Sequence, residues 1–324
     1  RNRVNKKLYK KGEIMVGGVD AKELRAPVFN IVHGSFVDGW GTRTTIFLKG
    51  CPLNCVWCCN PEGQKTYPEL RFTQQDCNGC GKCVTVCPKQ AIHMDPEKHL
   101  AVVDRSQCDD CLACTKICET SAMDVFGKYY SVKEIFDCIA RDERYFGSDG
   151  GLTIGGGEAT YFPDFTLELI RMCHDNYIHV ALDTCGFIET ENGRKCLEEA
   201  DLVLFDLKGM DDAQHRINTG VSNQLIHKNL RYRDSLGKDI IVRVPIIPGY
   251  NASEENLNQT ADFLKTLRSI RRVDLLPVHK YGMIKYEQLG MDYAIADVTA
   301  YSKEEEAHFV ELFRKRGLNV QIGG

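Results

Sequence analysis

The chain has 324 residues, enough for one large domain or two smaller ones with a substantial buried core. A net charge of −4 gives no sign of nucleic-acid binding, and no apolar run reaches the ~18 residues of a membrane span. The basic start, RNRVNKKLYKK, predicts an N-terminal arm over residues 1–29. Sixteen cysteines are the unusual feature. No signal-peptide-like apolar region precedes them, so we expect a cytoplasmic protein whose thiols bind metal rather than form disulfides.

The first predicted strand leads directly into a cysteine-rich loop. The stretch RTTIFLKG (Arg43–Gly50) has the apolar pattern of a strand, and CPLNCVWCC follows it. Cys51, Cys55 and Cys58 have the spacing C-x3-C-x2-C. Three thiolates would leave one iron of a [4Fe–4S] cluster open to another ligand, which suits substrate binding better than plain electron transfer. Cys59 is too close to Cys58 to join the same cluster easily, so we interpret it as a non-ligand.

Two further cysteine runs, CNGCGKCVTVCP and CDDCLACTKICE, share the spacing C-x2-C-x2-C-x3-C of bacterial two-cluster ferredoxins. In such domains the fourth cysteine of each run binds the other cluster. One [4Fe–4S] cluster would therefore take Cys77, Cys80, Cys83 and Cys118, and the other would take Cys87, Cys108, Cys111 and Cys114. Zinc sites are the alternative, but zinc ligands normally come as C-x2-C pairs across a longer gap. We expect a ferredoxin-like insert over residues 74–120.

After residue 121 the sequence alternates between short apolar runs and amphipathic stretches. The apolar runs predict strands at Leu152–Ile154, His179–Asp183, Leu202–Asp206, Ile240–Val244, Val273–Leu276 and Asn319–Ile322. Ser131 and Glu134 have the spacing of a helix capping box. This alternation predicts an α/β fold, namely a partial (βα) TIM-like barrel formed by residues 30–73 and 121–324. In such folds the chemistry lies at the C-terminal ends of the strands.

The C-x3-C-x2-C loop resembles the signature of radical S-adenosylmethionine (SAM) enzymes. The segments DGWGTRTTIFLKGCPLNCVWCCNPEG, DTCG, DLVLFDLKGMDDAQHRINTGVSN, RVPIIPGYN and LLPVHKYG are similar to those of glycyl-radical-enzyme activating enzymes. The likeness extends from near Asn30 to the C-terminus, and the insert matches the subgroup with extra clusters. Trp40 departs from the family's D-G-P-G, and Cys59 departs from its C-H-N-P-E.

The resemblance implies roles for individual residues. The resemblance implies that Cys51, Cys55 and Cys58 bind the catalytic cluster. The residues expected to bind SAM are Trp57, Gly156, Gly157, Glu158, Asp206, Lys208, Arg243 and His279. Asp183 and Thr184 match positions that hold a monovalent cation near SAM in the family. Each of these residues alone is equally compatible with a salt bridge or a capped turn, but together they follow several strands of one barrel.

The resemblance also implies the function. A radical SAM activase reductively cleaves SAM to a 5′-deoxyadenosyl radical, which takes a hydrogen atom from a glycine Cα of a partner glycyl radical enzyme. The implied cofactors are three [4Fe–4S] clusters, SAM and a monovalent cation. The implied electron donor is a flavodoxin or a ferredoxin, and we expect neither nucleic acid nor membrane as a partner.

Two other function classes remain open at this point. A radical SAM enzyme acting on a small molecule would use the same cysteines, although the DLKGMDDAQHRINTGVSN segment is typical of activators. An electron carrier fused to an inert barrel would not need a three-cysteine site. Cys138, Cys173 and Cys196 lie in helical patterns and are interpreted as core thiols, while Cys185 has no assigned role.

Overall fold

A nine-stranded sheet is the central feature of the computed structural model, which describes residues 24–324. In chain order the strands are β1 (Arg25–Ser35), β2 (Arg43–Leu48), β3 (Glu69–Phe72), β4 (Ile92–Met94), β5 (Ala101–Val103), β6 (Met123–Phe126), β7 (Lys128–Ser131), β8 (Gly151–Gly156), β9 (His179–Thr184), β10 (Leu202–Asp206), β11 (Ile240–Ile246), β12 (Ile270–Pro277) and β13 (Val320–Ile322). The α-helices are α1 (Lys82–Val86), α2 (Val132–Ala140), α3 (Pro163–Asp175), α4 (Glu191–Glu199), α5 (Asp212–Thr219), α6 (Gln224–Ser235), α7 (Glu254–Lys265), α8 (Met283–Leu289) and α9 (Lys303–Arg314). The basic segment RNRVNKKLYKK lies outside the described residues.

The sheet is parallel over most of its width. Its order is β13-β12-β11-β10-β9-β8-β2-β1-β7, and β2 and β8 to β13 each run parallel to their neighbours in this series. Helices occupy the connections between these strands, as parallel pairing requires. In the described part of the chain β2 does not pair with β13, so the sheet is open. The predicted α/β fold with a partial barrel is confirmed.

Continuous apolar runs explain why these strands form, because parallel strands covered by helices are buried on both faces. In β10, for example, every residue from Leu202 to Phe205 is buried. Each of the seven predicted strands is present. The capping box of α2 is present too, with reciprocal hydrogen bonds between Ser131 and Glu134. Within residues 24–324, no helix combines the length and the apolarity that crossing a membrane requires.

Two antiparallel strands extend the sheet beyond β2, and the sequence reasoning missed both. β1 pairs with β2 on one side and with β7 on the other. The predicted arm boundary at residue 29 therefore falls inside the sheet, and the barrel begins by Arg25. The sequence does not predict β1 because RAPVFNIVHGS contains Pro27 and does not alternate regularly between apolar and polar residues.

The cysteine-rich insert forms a small unit with its own core. β3 pairs antiparallel with β6, and β4 pairs antiparallel with β5. Leu70, Ile92 and Met123 belong to a hydrophobic cluster that is separate from the barrel core. The paired strands β3 and β6 flank the predicted limits of 74 and 120 on either side.

Lys49, directly after β2, ties the insert to the barrel. Its side chain is fully buried, and its Nζ donates to the carbonyl of Glu62 at 2.5 Å and pairs with Glu69 Oε2 at 2.9 Å. Lys65 pairs with the other carboxylate oxygen of Glu69 at 2.8 Å. Burial lowers the pKa of Lys49, and the Glu69 charge only partly offsets this. The first strand of the insert is therefore fixed to the end of the first parallel strand.

Arg43, at the start of β2, is a second fully buried cation. Its Nε donates to Thr153 Oγ1 at 2.6 Å, and its guanidinium donates to the carbonyls of Trp40 at 3.0 Å and Leu152 at 2.5 Å. Burial lowers the pKa of Arg43 to about 10. The side chain thus links β2 to β8 at the end of the sheet opposite the cysteine loop.

We predict that Arg43→Met destabilises the protein by about 1–3 kcal/mol or more, because it leaves buried acceptors without donors. Hydrogen exchange of the β2 and β8 amides in the cluster-loaded protein would measure this as faster exchange. Arg171→Met is the control, since it removes an exposed pair with Glu199 and should cost less than about 1 kcal/mol. Equal exchange in the two variants would contradict a structural role for Arg43.

Candidate active site

A cavity of about 350 Å³ opens at the C-terminal ends of the parallel strands. Carboxyl ends of parallel strands meet at one edge of the sheet, so residues that are distant in sequence converge there. The predicted residues that line the cavity are Cys51, Cys55, Trp57, Cys58, Gly156, Gly157, Asp183, Thr184, Asp206, Lys208, Arg243 and His279. Outside the insert, Glu158 is the predicted site residue that the structure places elsewhere.

Backbone contacts hold the three-cysteine loop (Cys51–Cys58) in place. The chain leaves β2 at Gly50, whose φ of +96° lies in a region that favours glycine. The amides of Asn54 and Val56 donate to carbonyls in the last turn of α5 at 2.8 and 2.9 Å. Because backbone groups fix the loop, the cysteine side chains are available as ligands.

The chemistry of these cysteines fits a metal cluster. All sixteen cysteines of the chain are free thiols. Burial raises the pKa of Cys55 to about 12, so a thiolate at this position requires the positive charge of a metal. Within residues 24–324, no group of three or more His, Cys, Asp or Glu side chains is arranged to hold a single metal ion. Cysteines spaced around a cavity fit a multi-iron cluster better than one zinc ion.

Two carboxylates and two cations form a buried ion network at the ends of β9 and β10 and the middle of β11. Arg243 pairs with Asp183, and its Nε lies 2.9 Å from Asp206 Oδ1. Lys208 Nζ lies 2.6 Å from the other carboxylate oxygen of Asp206. Burial opposes ionisation of Asp206, but the charges of Arg243 and Lys208 outweigh it and lower its pKa. Burial raises the pKa of Asp183 even though Arg243 acts against this change.

Asp183 and Thr184, the residues of the predicted monovalent-cation site, lie side by side in the cavity lining. Asp183 Oδ1 pairs with the guanidinium of Arg243, and Thr184 Oγ1 donates to Glu158 Oε1 at 2.7 Å. Arg243 therefore supplies positive charge beside Asp183, and the cation site stays a prediction.

Glu158, which is predicted to bind SAM, lies outside the lining of the cavity. It is buried, and its Oε1 accepts hydrogen bonds from the backbone and hydroxyl of Thr160 and from the hydroxyl of Thr184. Its Oε2 accepts from the amide of Cys185 at 2.7 Å. The carboxylate therefore positions the turn after β9, and its role in cofactor binding stays a prediction.

Gly156 and Gly157 allow the end of β8 to pack against β2 and the cysteine loop. A Cβ on Gly156 would lie 2.2 Å from the amide nitrogen of Leu48, and a Cβ on Gly157 would lie 2.2 Å from the carbonyl oxygen of Gly63. Any side chain would force these backbones apart. The glycines therefore leave main chain, rather than side chain, exposed to the cavity.

The cavity has a polar and an apolar side. Trp57 belongs to a buried cluster with Ile247 and Ile295. Its ring packs edge-on against the ring of Tyr250, and the two ring centroids are 6.2 Å apart. His279 follows β12 at the rim, where burial lowers its pKa. The ion network provides the polar side. This arrangement suits a ligand with an aromatic ring at one end and a charged group at the other.

The sequence reasoning missed Asp38, Cys185 and Tyr293 as lining residues. Asp38 accepts hydrogen bonds from the hydroxyls of Ser35 at 2.6 Å and Thr45 at 2.9 Å. Cys185 lines the cavity together with Cys51. Asp38 is the first residue of the DGWG segment and Cys185 lies in DTCG, so these two motifs could have predicted both residues as part of the cavity lining. No sequence pattern around Tyr293 indicates that it lines the cavity.

The insert contains two small cavities of about 20 Å³ each. One, here called the Cys77 site, has Cys77, Cys80, Cys83 and Cys118 in its lining. The other, the Cys108 site, has Cys87, Cys108, Cys111 and Cys114 in its lining. In both, the fourth cysteine of one run lies with the first three of the other run. This is the grouping that the spacing predicts for two [4Fe–4S] clusters.

We predict that Cys58→Ala removes about one third of the iron from the reconstituted protein, because one of three similar clusters loses a ligand. Cys59→Ala is the matched control, since the neighbouring thiol is not needed as a ligand and the iron content should stay unchanged. Iron and sulfide analysis with electron paramagnetic resonance (EPR) of the reduced protein would measure both. Iron loss in Cys59→Ala alone would reverse the ligand assignment.

Comparison with known proteins gives two family matches and several relatives. Residues 76–127 match the 4Fe-4S dicluster domain family, and residues 112–264 match the Radical SAM superfamily. The chain is 38% identical to the trans-4-hydroxy-L-proline dehydratase activating enzyme of Clostridioides difficile, covering 92% of this chain and 99% of the relative.

Two other relatives are similar over comparable lengths. The indoleacetate decarboxylase activating enzyme of Tractidigestivibacter scatoligenes and the choline trimethylamine-lyase activating enzyme of Oleidesulfovibrio alaskensis are each 35% identical, covering 93% of this chain and 98% of the relative. Among solved structures, Streptococcus suis SuiB bound to precursor peptide SuiA matches with a TM-score of 0.50 at 15% identity. That match covers 85% of this chain and 46% of SuiB, and at this identity the likeness concerns the fold alone.

Proposed function

The chain belongs to the glycyl radical enzyme activating enzymes of the radical SAM superfamily, and on this premise we propose that its main cavity binds SAM against a [4Fe–4S] cluster held by Cys51, Cys55 and Cys58. The observation that carries the proposal is the convergence of three free cysteines with Lys208 and His279 on one cavity. An electron carrier would need a fourth protein ligand and no such cavity.

The chemistry belongs to the cofactors, and the protein binds, orients and shields them. Cys51, Cys55 and Cys58 would hold the cluster, which would supply the one electron needed to cleave SAM into methionine and the radical that takes a hydrogen atom from a glycine Cα of the partner enzyme. The buried walls of the cavity exclude water from this reaction.

We assign the two sides of the cavity to the two ends of SAM. Lys208 and His279 bind the methionyl carboxylate as charged and polar donors. Asp206 holds the Lys208 ammonium group at 2.6 Å, and Arg243 in turn holds Asp206, so the donor is oriented before SAM arrives. The exposed main chain at Gly156 leaves room for the amine, and Trp57 lies on the apolar side that suits the adenine ring.

The insert would hold two more [4Fe–4S] clusters, giving three in all. The dicluster family match and the eight cysteines around two cavities support this assignment. The external reductant is a low-potential protein such as a flavodoxin or a ferredoxin. Such a system needs reduced thiols, so we place it in the cytoplasm.

The partner class follows from the relatives. Their names describe activation of a hydroxyproline dehydratase, an indoleacetate decarboxylase and a choline trimethylamine-lyase. We therefore propose that this chain activates a glycyl radical enzyme. Identities of 35–38% to activators of three different enzymes support the class of partner and select no single one.

Reductive SAM cleavage tests the proposal. We expect the anaerobically reconstituted, reduced protein to form 5′-deoxyadenosine from SAM, measured by mass spectrometry, and Cys55→Ala to form none. Cys138→Ala is the matched control, because this α2 cysteine lines none of the three cavities and should retain the activity. If the wild-type protein carried all three clusters and formed no 5′-deoxyadenosine even with a partner present, the proposal would be wrong.

A further inference from the structure

Helix α8 contacts the three-cysteine loop at its N-terminal half. Lys285 Nζ lies 2.6 Å from Glu62 Oε1 and 2.7 Å from Asn60 Oδ1, just beyond the loop. The hydroxyl of Tyr286 donates to the carbonyl of Cys58 at 3.0 Å. Glu62 is buried, so its pairing with Lys285 is a strong constraint on the position of the helix.

The C-terminal end of α8 contacts the insert. Gln288 Nε2 donates to Thr73 Oγ1 at 3.0 Å. Arg105, from the insert, donates to the carbonyls of Gln288 at 2.5 Å and Leu70 at 2.8 Å. A Cβ on Gly290 would lie 2.9 Å from the Arg105 side chain, so the glycine leaves space for this contact. One short helix therefore joins the cysteine loop to the insert.

These contacts favour the Cys108 site over the Cys77 site as the one nearer to the three-cysteine loop. β3 is anchored to the barrel at Glu69, through Lys49. Leu70, the next residue, lines the Cys108 site, whereas Phe72 at the far end of β3 lines the Cys77 site. Asp110 Oδ1, from between two cysteines of the Cys108 site, accepts a hydrogen bond from the Leu70 amide at 3.0 Å.

We propose that the cluster of the Cys108 site is the immediate electron donor to the cluster of the three-cysteine loop. Arg105 and α8 fix the Cys108 site and this loop in position relative to each other. This inference rests on the proposed function. In this order the cysteines of the Cys77 site would hold the cluster that receives one electron from a reduced flavodoxin or ferredoxin, and those of the Cys108 site would hold the cluster that passes it to the three-cysteine site. The external donor is oxidised by one electron, and no bond or proton changes place.

Arg105 gives the Cys108 site a distinct electrostatic setting. It lies three residues before Cys108 and donates to the carbonyl of Leu70, which lines the Cys108 site. Lys82 is the counterpart at the Cys77 site, where it lines the cavity and pairs with Glu119. Nearby positive charge raises the reduction potential of an iron–sulfur cluster. Removal of either cation should therefore lower the potential of one cluster and leave the other unchanged.

A matched pair of ligand variants tests the order of the sites. Cys80 and Cys111 occupy equivalent positions in the two runs, and both are exposed. In fully reduced protein without SAM, we expect magnetic coupling between neighbouring clusters to broaden the EPR signal of the three-cysteine cluster. Cys111→Ala should lose this broadening and Cys80→Ala should keep it, because alanine offers no ligand to iron. The reverse pattern would overturn the proposal.

Arg105→Met tests the same point without removing a ligand. We expect all three clusters to be retained, the potential of the Cys108-site cluster to fall in an EPR-monitored titration, and the reduction of the three-cysteine cluster by a reduced flavodoxin to slow. Lys82→Met is the control and should shift only the other cluster. Unchanged potentials and an unchanged rate in Arg105→Met would contradict the proposal.

The outcomes also separate this inference from the proposed function. If the coupling pattern is as expected but no variant or wild-type protein cleaves SAM, the order of the clusters stands and the assigned activity fails. If SAM is cleaved with a chemical reductant but the coupling pattern is reversed, the activity stands and the electron route is wrong.

Discussion

Charge compensation across three neighbouring strands is the constraint on which the site depends. Asp183 and Asp206 are both buried in the network, and an uncompensated buried carboxylate is strongly destabilising. Arg243 bridges them and Lys208 completes the set, so two negative and two positive charges cancel. The bridges also fix the carboxyl ends of β9 and β10 to the middle of β11. A ligand's amine and carboxylate can both enter such a network because their own charges cancel.

The same network includes Asp183, one of the two residues for which the family resemblance implies a cation. Arg243 lies between the two carboxylates and provides the charge that a metal ion would provide. The cysteine loop beside it is fixed from three directions, by α5, by Lys49 through the insert, and by α8. The loop that would hold the catalytic cluster is therefore a junction between barrel and insert. A change in the insert should reach the catalytic site through α8 rather than through a flexible linker.

The sequence predicts the barrel well because each buried parallel strand is a short, continuous apolar run. Polar residues mark the end of such a run, as in LVLFD and the following Lys208. The crossed pairing of the insert cysteines could also be predicted, since spacing alone determines which thiols can share a cluster. Other features leave no local pattern. β1 lacks regular alternation, Glu158 turns away from the cavity to bind Thr184 and Cys185, and the contacts of Arg105 and Tyr286 depend on residues far away in the sequence.

The central claim is that the radical formed in this cavity takes its hydrogen atom from a glycine of a partner protein rather than from a small molecule. The most direct test is deuterium transfer. A glycyl radical enzyme from the same genome would be prepared with α-deuterated glycine and mixed with the reduced activase and SAM. The account predicts deuterium in the 5′-deoxyadenosine and a glycyl radical EPR signal on the partner. Unlabelled 5′-deoxyadenosine, with the partner's deuterium retained and no radical signal, would contradict it for that partner, and the same result with every glycyl radical enzyme of the genome would favour a small-molecule substrate.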